Sequence, residues 1–214
     1  MLFATMCVGN EFVSLHKDSI NAFSKDNQLH ILTDNPSEFS NSISHQYTRD
    51  VFSYYEKINF VIRLSKKYKQ RITYIDCDCL SKIKTNLIFD DTSLYVETMF
   101  SLDEKNVITE TFPNEIILRE KLLPLINGTG NFNYYIYEPL FSLPYLSNLD
   151  DIEYDSIILQ NYLENIFNYN TKNIKLKKYK KQGIGFAEGW GMAALSIKYN
   201  IPIKEICWFN KSWI

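Results

Sequence analysis

An α/β domain is what the chain predicts: a mostly parallel central sheet flanked by helices, with a smaller mixed α+β half behind it. Three observations carry this. Residues 2–8, 29–32 and 71–75 are short, largely apolar runs of strand length, each closed by polar or turn-forming residues. Between the first two, Val13, Ile20 and Phe23 keep roughly helical spacing, and between the second and third a long amphipathic segment spans 47–68. The resulting order β-α-β-α-β implies parallel pairing, right-handed crossovers and helices on both faces of the sheet.

Taken in order, run 2–8 reads as a buried first strand ended by the Gly9-Asn10 break. The first helix closes in the polar stretch 24–28, and 29–32 begins the second strand. That strand stops at Thr33-Asp34-Asn35-Pro36, where Asp34 and Asn35 favour a turn and Pro36 denies the chain a donor. In the segment 47–68, Val51, Tyr54, Tyr55, Ile58, Val61, Ile62 and Leu64 make one apolar face, and Lys66, Lys67 and Lys69 at its end complement the helix dipole. Strand 71–75 follows. Beyond it the pattern shifts to extended segments at 86–89, 94–100 and 134–137, with helices at 114–126, 155–169 and 192–199. An antiparallel element is expected at one sheet edge.

Composition sets the outer bounds. With 214 residues the chain has room for one domain with a proper core and no independent second one. Its 45% hydrophobic and 22% charged residues are those of an ordered soluble protein. A net charge of −2 supplies no basic field for nucleic acid, so any anion site is local. No apolar run reaches the roughly 18 residues of a membrane span. The start is too short and lacks the basic flank of a secretory leader, so Cys7, Cys77, Cys79 and Cys207 are expected to be reduced thiols in a cytoplasmic setting. No oligomeric state follows from the sequence.

The densest chemistry lies in Asp76-Cys77-Asp78, directly after strand 71–75. In an open α/β sheet, ligands collect outside the carboxyl ends of the strands. Residues i and i+2 of an extended segment point the same way, so Asp76 and Asp78 can address one cation together while Cys77 faces elsewhere. Two such carboxylates suit Mg²⁺ or Mn²⁺, with water and phosphate oxygens completing the shell. The plain alternative is a solvated acidic turn. Without a second cysteine or histidine cluster, the Asp-Cys-Asp-Cys run does not suggest a closed zinc site.

Four pieces together resemble the GT-A fold of nucleotide-sugar-dependent glycosyltransferases: Cys7-Val8-Gly9-Asn10, Leu32-Thr33-Asp34-Asn35, the helical Tyr54-Tyr55-Glu56-Lys57, and Tyr74-Ile75-Asp76-Cys77-Asp78. They cover about the first half of the chain. The resemblance implies a nucleotide-sugar-binding half at 1–100 and an acceptor-side half at 101–214. It implies Val8 and Gly9 beside the base and ribose, Asp34 hydrogen-bonded to the nucleoside, and Asp76 and Asp78 at a Mn²⁺ or Mg²⁺ ion and the ribose. A UDP-sugar is the leading donor class, and the acceptor would be a carbohydrate or other hydroxyl.

Lys57 is a candidate for the donor diphosphate and Arg49 a second; the bland reading of each is a solvated helix side chain. In the segment 185–191, glycines permit close backbone approach, Trp190 is a candidate sugar stacker and Glu188 a candidate general base, nucleophile or hydrogen-bond partner of the acceptor. The alternative makes Glu188 a helix-start residue and Trp190 core. His16, His30 and His45 all precede the acidic motif, which leaves a third metal ligand unidentified. Asp90 and Asp91 are candidates, although Asp90-Asp91-Thr92-Ser93 also reads as a turn, and His30 belongs to its strand. The basic stretch 172–181 is either a flap over the diphosphate or a solvated run. Tyr134, Tyr135, Tyr137 and Phe141 are either acceptor-side stackers or core. Two other classes stay open: a non-catalytic carbohydrate- or nucleotide-binding module, and a sugar-nucleotide nucleotidyltransferase, for which the Gly- and Arg-rich loop after strand one is missing.

Overall fold

The computed structural model describes residues 1–49, 52–101, 115–167 and 187–208. Among the described residues seven strands form one sheet: β1 (Leu2–Met6), β2 (Leu29–Thr33), β3 (Ile43–Gln46), β4 (Ile72–Ile75), β5 (Leu94–Ser101), β6 (Tyr134–Leu143) and β7 (Ile203–Glu205). Their spatial order is β3-β2-β1-β4-β6-β5-β7. The helices are α1 (Asn10–Asp26), α2 (Glu56–Tyr68), α3 (Glu115–Leu125), α4 (Leu149–Phe167) and α5 (Ala187–Lys198), with short 3₁₀ turns at Pro36–Glu38 and Leu80–Lys82. The architecture is therefore α/β with a mixed central sheet whose core is parallel.

Strand alternation divides the core between the two faces of the sheet. Leu2, Ala4 and Met6 of β1 join Ile72 and Tyr74 of β4 beneath α2, α3, α4 and α5. Phe3 and Cys7 join Ile75 and Cys77 on the opposite side, where Val13 and Ile20 of α1 and the indole of Trp208 close the layer. Parallel strands with both faces covered need near-continuous apolar sequence; all of β1, β2 and β4 is buried.

Several boundaries differ from the sequence reading. The segment 47–68 is not one helix. Of its described residues only Glu56–Tyr68 are helical, and just upstream Ile43–Gln46 forms a third parallel strand, pairing His30 with Ile43 and Thr33 with Gln46. This strand is half-exposed at the sheet edge, so its residues carry no apolar alternation to betray it. Between strand and helix the backbone bonds locally: Tyr47 N–H donates to the Thr33 carbonyl at 2.7 Å, and the Tyr47 hydroxyl accepts from Ser53 N–H at 2.9 Å. Val51, assigned to the helix face, lies outside the described residues.

The reversed strand is interior rather than at an edge. β6 runs antiparallel to both neighbours, matching its Leu143 with Ile72 of β4 and its Tyr134 with Ser101 of β5. It continues six residues beyond the expected 134–137 because Pro139 is tolerated: the ladder with β5 shifts register between Val96 and Thr98, and proline is admitted where a ladder is interrupted. Residues 86–89 are not a strand, and Ile88 stands 89% exposed. The last helix starts at Ala187, five residues before the expected 192, so Gly189, Trp190 and Gly191 are helical. The helices expected at 114–126 and 155–169 correspond to α3 and α4, with Asn114 and residues 168–169 outside the described residues.

Candidate functional site

Because β2, β1 and β4 are parallel neighbours, their carboxyl ends lie side by side. Asp34 follows β2, Val8 and Gly9 follow β1, and Asp76 follows β4. Gly9 has φ +95°, a backbone state that side chains disfavour, and the space where a Cβ would stand is open. As the residue capping α1, it donates its N–H to the Asp34 carboxylate, 2.9 Å from Oδ1 and 3.1 Å from Oδ2. This bond ties the ends of β1 and β2 together. Val8 is half-buried and packs on the core.

At β4 the chain leaves the extended state after Ile75. Asp76 N–H donates to the Pro139 carbonyl at 2.8 Å, the Asp76 carbonyl accepts from Cys79 N–H at 2.9 Å, and 77–79 form a turn. Strand alternation therefore does not carry Asp78 to the same face as Asp76, as the sequence reading assumed. Cys77 is buried against Cys7 on the α1 side. Asp78 is exposed, with the Cys79 thiol against its carboxylate. The two acids remain close enough that Asp78 raises the proton affinity of Asp76.

Asp76 points toward α2 and α5, where two helix starts deliver opposite charges. Lys57, in the first turn of α2, and Glu188, in the first turn of α5, are each 2% exposed. Lys57 Nζ lies 3.1 Å from Glu188 Oε1 and 3.8 Å from Asp76 Oδ1. It also sits 5.5 Å above the centre of the Tyr74 ring. The Tyr74 hydroxyl donates to the same Asp76 Oδ1 at 2.9 Å. Burial pushes the Asp76 carboxyl up to about 6, against the pull of Lys57 and the Tyr74 hydroxyl and with help from Asp78 and Glu188. Burial and Asp76 likewise raise Glu97 on β5, and Tyr74 is held well above its ordinary range by burial and Asp76. Asp76, Asp78, Glu97 and Glu188 thus share one negative neighbourhood. Within it Glu188 Oε2 is buried with no hydrogen-bond partner among the described residues.

Close packing sets the Lys57–Glu188 contact. Gly191, one turn after Glu188, lies so near Tyr55 that a Cβ would clash with the phenol ring. Tyr55 is fully buried, and its hydroxyl accepts from Ser156 of α4 at 3.5 Å. The absence of a side chain at position 191 lets α5 approach the start of α2, and Glu188 reaches Lys57.

Other candidates are employed elsewhere. Arg49 makes a two-pronged contact with Glu164 of α4, at 2.8 and 2.6 Å, and lies 3.5 Å from Glu56. It fastens the segment before α2 to α4 and does not point to a phosphate site. Trp190 is fully buried, stacked on Phe132 at 5.6 Å and tilted against Tyr135 at 5.4 Å, so it is core and not a sugar platform. Tyr135 and Phe141 are also core, and the Tyr134 hydroxyl bonds Ser196. The Asp90 carboxylate accepts from Thr92 and Ser93 N–H groups and the Tyr95 hydroxyl and pairs with Lys204; it stabilises a turn. His30 is buried in β2, 2.8 Å from His45 across the β2–β3 ladder. The stretch 172–181 and Gly183 and Gly185 lie outside the described residues.

Two members of the site were missed from the sequence. Tyr74 was visible in principle, since it precedes Asp76 by one strand period. Glu97, an isolated acid in an apolar strand, signals the site only once β5 is aligned beyond β6. Among the described residues no three His, Cys, Asp or Glu side chains form a group able to hold a metal, and no helix is long and apolar enough to cross a membrane. No protein-family model and no curated protein sequence matches this chain.

Proposed function

We propose that the protein is a metal-dependent glycosyltransferase of GT-A type, moving a sugar from a nucleotide-diphosphate donor, with UDP-sugars the leading class, to a hydroxyl acceptor. The observation that carries this reading is the acidic turn after β4. Half-buried Asp76, with exposed Asp78 beside it, stands against a buried ammonium at the sheet end that also holds the Gly9–Asp34 bond. In this reading the nucleoside lies along Val8, Gly9 and Asp34. A carboxylate offers about four lone-pair sites, so Asp34 keeps accepting capacity for ribose hydroxyls while bonded to Gly9.

A divalent cation of the Mn²⁺ or Mg²⁺ kind fits the donor set in charge and chemistry. Asp76 and Asp78 are hard oxygen ligands, more carboxylates than ammonium groups gather there, and the buried Glu188 Oε2 retains unused accepting capacity. Asp76 and Asp78 would hold such a cation and would leave the rest of its shell to water and the donor. A bound cation supplies neutralisation of the leaving diphosphate. Lys57, held by Glu188, adds fixed positive charge behind Asp76 at no cost of reorganisation during reaction. Glu188 therefore contributes by orienting Lys57.

The test is to incubate the protein with Mn²⁺ and a panel of nucleotide sugars and to measure released nucleoside diphosphate. Metal-dependent release is expected, falling at least about 10²-fold in Asp78→Ala. A second reading, a non-catalytic nucleotide- or carbohydrate-binding module, draws on the burial of Glu188 under Lys57, which leaves the acceptor without an assigned base. Saturable UDP binding with no release from any donor would select it.

A further inference from the structure

The geometry points to Tyr74 as a positioning residue that sets which oxygen of Asp76 meets the ligand, and with it the cation the site prefers. The inference rests on the metal-dependent reading above. Tyr74 is fully buried, and its ring lies against Phe141, its register partner on β6, with centroids 5.1 Å apart and planes 20° from parallel. That stack makes the hydroxyl a fixed point. It donates to Asp76 Oδ1 at 2.9 Å, and Lys57, over the same ring, approaches the same oxygen at 3.8 Å. The described residues give Oδ2 no hydrogen bond, while the Asp76 side chain keeps 33% of its surface exposed. One hydrogen bond, from the fixed Tyr74 hydroxyl, and the nearby Lys57 charge both engage Oδ1 and leave Oδ2 as the oxygen open to a ligand.

A carboxylate presented through one oxygen suits a small octahedral cation that keeps several waters; Ca²⁺ more readily takes both oxygens of a carboxylate into a larger, flexible shell. Tyr74 thus favours Mn²⁺ or Mg²⁺ over Ca²⁺ by occupying Oδ1. Groups that orient ligating carboxylates are commonly worth about 10- to 100-fold in metal affinity.

Tyr74→Phe tests this, because the ring keeps its stack and only the hydroxyl is lost. Mn²⁺ binding to the full chain in the presence of UDP is read from the free-Mn²⁺ spin-resonance signal, and Ca²⁺ binding by calorimetry, with circular dichroism confirming the fold. The expected result is a Mn²⁺ affinity about ten-fold lower with little change for Ca²⁺, so the preference between the two narrows. Equal weakening of both cations would assign Tyr74 a merely structural role and overturn the inference, as would unchanged Mn²⁺ affinity, which leaves the metal reading standing. Wild type that binds no Mn²⁺ overturns both together.

Discussion

At the scale of the residue, the decisive feature is a pair of charges taken out of water. Lys57 and Glu188 are each almost fully buried and 3.1 Å apart. Such a pair adds little net stability over apolar residues of similar volume, but removing one partner strands the other, at about 3–5 kcal/mol. Lys57→Met should therefore lower the unfolding free energy by about that amount. Lys57→Met with Glu188→Leu should recover most of the loss, as urea denaturation of the single and double variants would measure. If the pair also serves the proposed reaction, the double variant will be stable yet impaired in nucleoside diphosphate release.

At the scale of the element, α5 delivers Glu188 only because a glycine admits it. Gly191→Ala drives a methyl group into the Tyr55 ring, and Tyr55 has little freedom to yield, being wholly buried with its hydroxyl against Ser156 of α4. Overpacking of this kind costs about 1–3 kcal/mol. The variant should show a lower thermal midpoint, and a displaced α5 should weaken UDP and Mn²⁺ binding although position 191 touches neither. The same interface is tied by the Arg49–Glu164 fork and by Asn59 donating to Gln160 at 2.6 Å, so α2 and α4 form a firm base for the approach.

At the scale of the whole molecule, half-buried Asp76 and buried His30 tilt stability with pH in opposite directions. Asp76 is raised from 3.8 to about 6, so the folded chain binds its proton more tightly. That contribution is full below about pH 4 and is lost as pH rises through about 6. His30 is lowered from 6.5 to about 4, by burial, then by His45 and Lys67; its contribution is present above pH 6.5 and lost as pH falls toward 4. Comparing Asp76→Asn with wild type cancels the histidine. The variant should gain stability relative to wild type between pH 4 and 7, as denaturant midpoints at several pH values would show.

Much of the first half was legible because its signals are local. Buried parallel strands need apolar runs, so β1, β2 and β4 stand out in the sequence, and a glycine between strand and helix marks the turn at position 9. β3 was illegible for the converse reason: an edge strand held by backbone pairing demands little of its side chains. β6 was cut short because Pro139 reads as a stop until the irregular β5 ladder opposite it is seen.

The sequence by itself determined the class of the fold and the place where acids and a glycine gather at strand ends, since burial and turn geometry act on neighbouring residues. Only the tertiary structure decided that the acidic motif is a turn rather than a strand end, and that Lys57 and Glu188 meet beside Asp76. Positions 57, 76 and 188 converge through the packing of α2, β4 and α5, and contacts between residues so far apart in the chain leave no periodic trace along it.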